Sequence, residues 1–176
     1  MIAHIEQALQ RMTCKALGLE PTDKESNTAV RIAYQGAGAP FPHVLSTDVA
    51  FLFADLVDAP ITQQRDVEYT GEAAGLTQRR TSYLAVVQAR WTLYGPHAAE
   101  RALLIRDGLF RPDLHMLNME ANLALITNPS VPRRFPELYK GHWLERWDFT
   151  AQFNYLVVRE TGIPYLEPGT IIIKKG

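Results

Sequence analysis

The stretch WLERWDFTAQFNYLVVR, residues 143–159, sets its large apolar side chains two apart: Trp147, Phe149, Ala151, Phe153, Tyr155 and Val157, with Arg146, Asp148, Thr150, Gln152 and Asn154 between them. A repeat of two belongs to a β-strand, whose successive side chains point to opposite faces, whereas a helix would scatter both sets. The odd positions are expected to meet a core and the even ones water or a polar partner. Burying one large side chain stabilises by about 1.5–3 kcal/mol, so the aromatics on the odd face outweigh most local preferences around them. This strand is expected at the centre of a sheet. Its even face carries short polar residues and no gathering of His, Cys and acid, which suits a contact surface better than a chemical site.

Upstream, Tyr83, Ala85, Val87, Ala89, Trp91 and Leu93 repeat the pattern and predict a second core strand, broken by Tyr94-Gly95-Pro96. Pro96 suits a first helical position, and Ala98, Ala102, Ile105 and Leu109 form one stripe of a helix to about Asp107, closed by Gly108. Pro112 reopens a short helical turn through Leu117. A strand over Asn122 to Thr127 follows, then an extended passage from Pro129 to Pro136 and a brief turn at Glu137 to Tyr139. At the other end Ile2, Ile5, Leu9, Met12, Ala16 and Leu19 recur at threes and fours, which predicts an amphipathic helix. A loop over 22–27, a strand over Thr28 to Tyr34 and a second long strand around Val44 to Leu56 complete the series. Gly36 and Gly38 lack the third glycine of a phosphate loop, and Pro40-Phe41-Pro42 stands where its helix would begin.

Two segments have no clear period. Residues 58–82 read as a protruding loop or hairpin arm, because a connection of this length in a compact domain usually has a function or is disordered. Its charges are mixed in sign, with Arg65, Asp66, Glu68, Glu72, Arg79 and Arg80, as suits pairing with a protein neighbour. Residues 163–176 read as a C-terminal extension of the same single domain. There Thr170 to Ile173 are β-branched, and Lys174 and Lys175 blunt a possible edge strand. These eight residues, with Gln152 and Asn154 of the even face, are the candidate interface.

Chemistry finds few footholds. The 176 residues carry 18 basic and 19 acidic side chains, a formal net charge of −1, which removes the simplest case for gripping nucleic acid. The single cysteine, Cys14, makes no internal disulfide and no zinc pair, which is compatible with a reducing compartment. Histidines 4, 43, 97, 115 and 142 lack metal-ligand spacing, and no serine sits in a nucleophile elbow. No catalytic, cofactor or metal residues are expected. The absence of a long apolar run predicts no membrane span, and the polar start predicts no signal peptide.

Three pieces in order, 31–36 (RIAYQG) with Pro40, 90–99 (RWTLYGPHAA) and 145–149 (ERWDF) running to Phe153-Asn154-Tyr155, resemble the neck or tail terminator proteins of contractile-tailed phages. The resemblance spans about Thr28 to Glu167. It implies an α+β fold, a mostly antiparallel twisted sheet with helices on one face, in agreement with the elements above. It also implies a structural virion protein and not an enzyme: a homo-hexameric ring that caps the tail tube and meets the head-tail connector, with the sheath as a further neighbour. DNA would pass through the lumen without specific binding, and assembly would take place in the bacterial cytoplasm. Near-neutral charge fits such a channel, since each phosphate neutralised adds affinity and so drag. The alternatives are another head-tail connector or head-completion protein, or a small metal-dependent hydrolase or ligand-binding domain built on His97, His115 or His142.

Overall fold

A computed structural model describes residues 1–33, 47–73 and 76–164. In chain order it contains α1 (Ile2–Ala16), α2 (Lys24–Ala29), β1 (Val30–Ile32), β2 (Val49–Val57), a 3₁₀ turn (Pro60–Gln63), β3 (Asp66–Ala73), β4 (Leu76–Tyr94), α3 (Ala98–Gly108), α4 (Pro112–Glu120), β5 (Leu123–Ile126), β6 (Arg133–Tyr139) and β7 (His142–Pro164). The period-two stretches at 83–93 and 143–159 are the middles of β4 and β7. These two strands pair antiparallel from Leu76 opposite Pro164 to Tyr94 opposite Arg146. Shorter strands flank this ladder: β2 and β3 share the far edge of β4, β5 and β6 share the far edge of β7, and β1 runs parallel beside β2. The fold is α+β, an open, mixed, twisted sheet with its helices on one side.

Alternation decides which face the helices cover. Phe149, Ala151 and Phe153 of β7 lie opposite Trp91, Ala89 and Val87 of β4, and all six are buried. The Trp91 and Phe149 rings stack with centroids 4.8 Å apart and planes 4° from parallel. Onto this floor α1 lowers Ile5, Leu9, Met12 and Ala16, α3 adds Ala102 and Ile105, and α4 adds Leu114. The indole N–H of Trp91 donates to the Thr13 hydroxyl at 3.0 Å, and that hydroxyl donates to the Leu9 carbonyl at 2.7 Å, so the one polar atom of the stacked pair is satisfied inside the core. At the sheet edge, Glu6 of α1 accepts from the Ala54 backbone N–H at 3.3 Å, just past the last residue that β1 pairs.

Several expectations need correction. The span 22–29 is not loop then strand: α2 occupies Lys24–Ala29 and the strand is only Val30–Ile32, with Asp23 at the position that precedes the helix. The extended passage and turn over 129–139 hold an edge strand, β6, which pairs with β7 from Arg133 opposite Asp148 to Tyr139 opposite His142. Pro136 lies within β6, where an edge strand tolerates a missing N–H. The helix after Pro96 begins at Ala98, and the one after Pro112 runs on to Glu120. It ends before Asn122, which takes the left-handed conformation at φ 58° that asparagine adopts readily. Residues 34–46 and 165–176 lie outside the described residues, and with them Gly36, Gly38, the start of the expected second strand, Thr170 to Ile173, Lys174 and Lys175.

Candidate functional site

The helices cover only the middle of the β4–β7 ladder. Trp147 and Tyr155 still pack against the core, but Trp143 at one end is 71% exposed, and beyond Tyr155 the other end of β7 is largely solvent-facing. Among the described residues no helix covers either end.

At the first end, β3 joins the starting half of β4 and the finishing half of β7 in a three-stranded ribbon, and Asp66 to Gly71 are all exposed. Register sorts its side chains into rows. Asp66, Ser82 and Val158 form one row and Glu68, Arg80 and Glu160 another on the same face; Val67, Thr81 and Arg159, and then Tyr69, Arg79 and Thr161, occupy the other face. One face therefore holds three acids and one arginine, and the other holds two arginines, a valine and a tyrosine. Where the acidic face meets the sheet, Ile61, Gln64, Asp66, Ser82, Leu84 and Leu156 line a groove of about 120 Å³. Arg65 turns inward: its guanidinium lies 3.9 Å from the centre of the Tyr83 ring and donates to the carbonyls of Thr62 and Gln64.

At the second end, β6 and β7 are joined by Lys140-Gly141 with φ of 48° and 80°, the paired positive values of a two-residue turn that matches strand twist. One face of this hairpin carries a polar network. The Tyr94 hydroxyl donates to Glu137 at 2.7 Å, and Arg146 donates to Asp148 at 2.8 Å and reaches Glu137 at 3.5 Å. Burial, reinforced by the Glu137 carboxylate, pushes the Tyr94 hydroxyl well above its usual range, and the hydrogen bonds to Asp148 hold the Arg146 guanidinium firmly charged. Both acids are thus engaged, while Arg133 and Lys140 have no acid partner among the described residues. The other face exposes Leu138 and Trp143, with Arg134 bonded to Glu145 at 3.1 Å.

A third cluster fastens the helices to the sheet. Asp48 accepts the His97 backbone N–H at 2.8 Å, bonds the His97 ring at 2.9 Å and lies 3.4 Å from Arg101. It thereby caps the start of α3 from 49 residues away in sequence. Gly95 makes this approach possible: its φ is +116°, and a Cβ there would stand 2.5 Å from the Asp48 carboxylate. Partial burial pushes the Asp48 carboxyl up, but the His97 N–H, the His97 ring and Arg101 outweigh it and hold the group below the usual carboxylate range.

The candidate interface residues therefore separate. Asp66, Glu68, Arg79 and Arg80 come together on the ribbon, and Glu72 lies on β3 in register with Thr77. Gln152 and Asn154 stand in the middle of the sheet, half-buried on the face away from the helices, opposite Gln88 and Val86. His97, His115 and His142 sit at the start of α3, on α4 and at the hairpin turn, and among the described residues no three His, Cys, Asp or Glu groups gather as a metal site. No helix among the described residues is long and apolar enough to cross a membrane.

A family model described as phage neck terminator protein matches residues 3–176. The chain belongs to that family. No curated protein matches it. A phage neck terminator protein is a structural component of the virion, placed among other head and tail proteins. The outer faces of α3 and α4 and the turn between them carry Leu103, Leu104, Phe110, Met116 and Met119, each about half exposed or more. The sequence reading missed the β6–β7 hairpin and its network. Arg146 and Asp148, two apart on one strand, and the Lys-Gly pair before His142 were the available signals.

Proposed function

We propose that this neck terminator protein forms a six-fold ring that caps the tail tube and joins it to the head connector, leaving a channel through which DNA passes without being held. The observation that carries the reading is the length of the β4–β7 ladder relative to its cover. A strand of 23 residues extends about 75 Å, yet its buried positions run only from Phe149 to Phe153. Among the described residues, the exposed aliphatic and aromatic side chains at both ends have no covering layer. In a ring, heterologous contacts repeated around a closed axis would cover them. A net charge of −1 supports an unretentive channel. The test is a reconstruction of the neck from intact particles, with six copies of this chain expected in one layer between tube and connector. A layer with three-fold, twelve-fold or no symmetry would overturn the proposal.

A further inference from the structure

We propose that neighbouring copies join by seating the β6–β7 hairpin of one on the acidic face of the β3–β4–β7 ribbon of the next. This rests on the ring reading above and specifies its contact. The ribbon supplies a groove floored by Ile61, Leu84 and Leu156, with Asp66 at its rim and Tyr83, under the Arg65 guanidinium, at its side, and the acidic face continues outward to Glu68 and Glu160 with Arg80 between them in register. The hairpin supplies the complement. Phe135 and Tyr139 are 45% and 47% exposed, and beside them stand Arg133 and Lys140, the two cations that the hairpin's own acids leave unpaired among the described residues. Apolar groups would meet apolar groups and free cations would meet excess acid, the arrangement that sets both register and partner choice.

The occupant is a second copy because the two halves of the contact lie on one chain and cannot meet within it. The groove at Leu156 and Phe135, which pairs opposite Arg146, stand ten residues apart along β7, roughly 33 Å on a paired and therefore stiff ladder. Each docking event covers one hairpin and one groove and leaves one of each free. Such a head-to-tail contact propagates, and it closes if the rotation per copy divides a full turn.

Charge reversal with rescue tests this on whole particles. Asp66→Lys with Glu68→Lys, and separately Arg133→Glu with Lys140→Glu, should each lower the yield of joined particles by about tenfold or more, as like charges then face one another. The four changes combined should restore most of that yield. Thermal melts of the purified chains should fall only slightly, since all four side chains are exposed, although Glu68→Lys then faces Arg80 and Arg133→Glu faces Asp148 across the strands. A combined variant no better than the worse pair would overturn the contact. Independently, Glu68→Cys with Lys140→Cys should give oligomers joined by disulfides when assembled necks are oxidised, while Cys14, 2% exposed, stays out of reaction. Absence of cross-linked oligomers would also overturn it. Necks lacking a ring would defeat the six-fold reading, whereas the cross-link decides this contact in either case.

Discussion

The middle and the ends of the β4–β7 ladder share one backbone pairing and one alternation, but only the middle is covered. Phe153 is fully buried beneath the helices, and Trp143, ten residues back on the same face of the same strand, is 71% exposed. Alternation therefore reports that a strand has two unlike faces, and it does not report what lies over them. In the middle the cover is the chain's own α1, α3 and α4. At the ends the chain offers none among the described residues.

The largest expected effect separates the two regions directly. Phe153→Asp would place an unpaired carboxylate in the core beside Val87 and cost more than about 4 kcal/mol, enough to abolish folding of an ordinary domain. Trp143→Asp should change stability by no more than about 0.5 kcal/mol. Urea unfolding of both variants checks this, and similar losses in the two would erase the contrast.

Removing one end should spare the middle. The ladder shows where to cut: β2 and β4 pair as far as Val57 opposite Val86, so residues 58–85 lie beyond the last β2–β4 pair. Replacing 58–85 with Asn-Gly would join Val57 to Val86 through a two-residue turn. The shortened chain should fold, at some loss because Tyr155 and the rest of β7 lose their partner strand, and it should fail to join heads to tails. Circular dichroism and particle counts report the two outcomes, and wild-type joining would show that the ribbon is dispensable.

What could be read in advance follows the range of the forces involved. Val87, Trp91, Phe149 and Phe153 betray their strands because period two is local, and the one-sided helix layer follows from the stripe Ile5, Leu9, Met12. Neither β6 nor α2 was legible: the prolines at 129, 132 and 136 read only as an extended passage, and the polar composition of 24–28 reads equally as a loop. The site was less legible still. Mixed charges at 65–80 look like a single mottled arm until pairing with β7 brings in Arg159 and Glu160 and sorts the acids from the arginines by face. Asp48 as the cap of α3 depends on a contact across 49 residues, which no local pattern encodes.

That cap marks the boundary between covered and open ladder, since it ties α3 to the sheet where β4 ends. Asp48→Asn keeps the shape and one acceptor for the His97 N–H but loses the charge, and should cost about 1–2 kcal/mol at neutral pH. The sign with pH follows from the depressed carboxyl. Its contribution is complete above the unfolded value of about 3.9 and is lost as pH falls through the lower folded value. The difference in urea midpoint between wild type and Asp48→Asn should therefore hold steady near pH 7 and shrink below about pH 4. A difference that does not shrink below about pH 4 would mean that Asp48 is not held ionised in the fold.

The smallest expected effect tests the middle from its other side. Gln152 lies between Phe149–Phe153 core positions in sequence but points to the opposite face, half-buried, with Gln88 and Ile126 as its cross-strand neighbours. Gln152→Glu adds a charge with no directly opposed acid, and Arg90 stands diagonally across on the same face of β4, opposite Thr150, where it offers weak, solvent-screened attraction. The two terms nearly cancel, so stability should change by no more than about 0.5 kcal/mol. A melt within about 2 °C of wild type, set beside the collapse of Phe153→Asp, would establish that adjacent positions on one strand meet a sealed layer and an accessible one. A loss above about 2 kcal/mol would mean that this face too is sealed in the folded chain. An unchanged melt with reduced head-tail joining would instead identify the polar face around Gln152 and Asn154 as a contact surface.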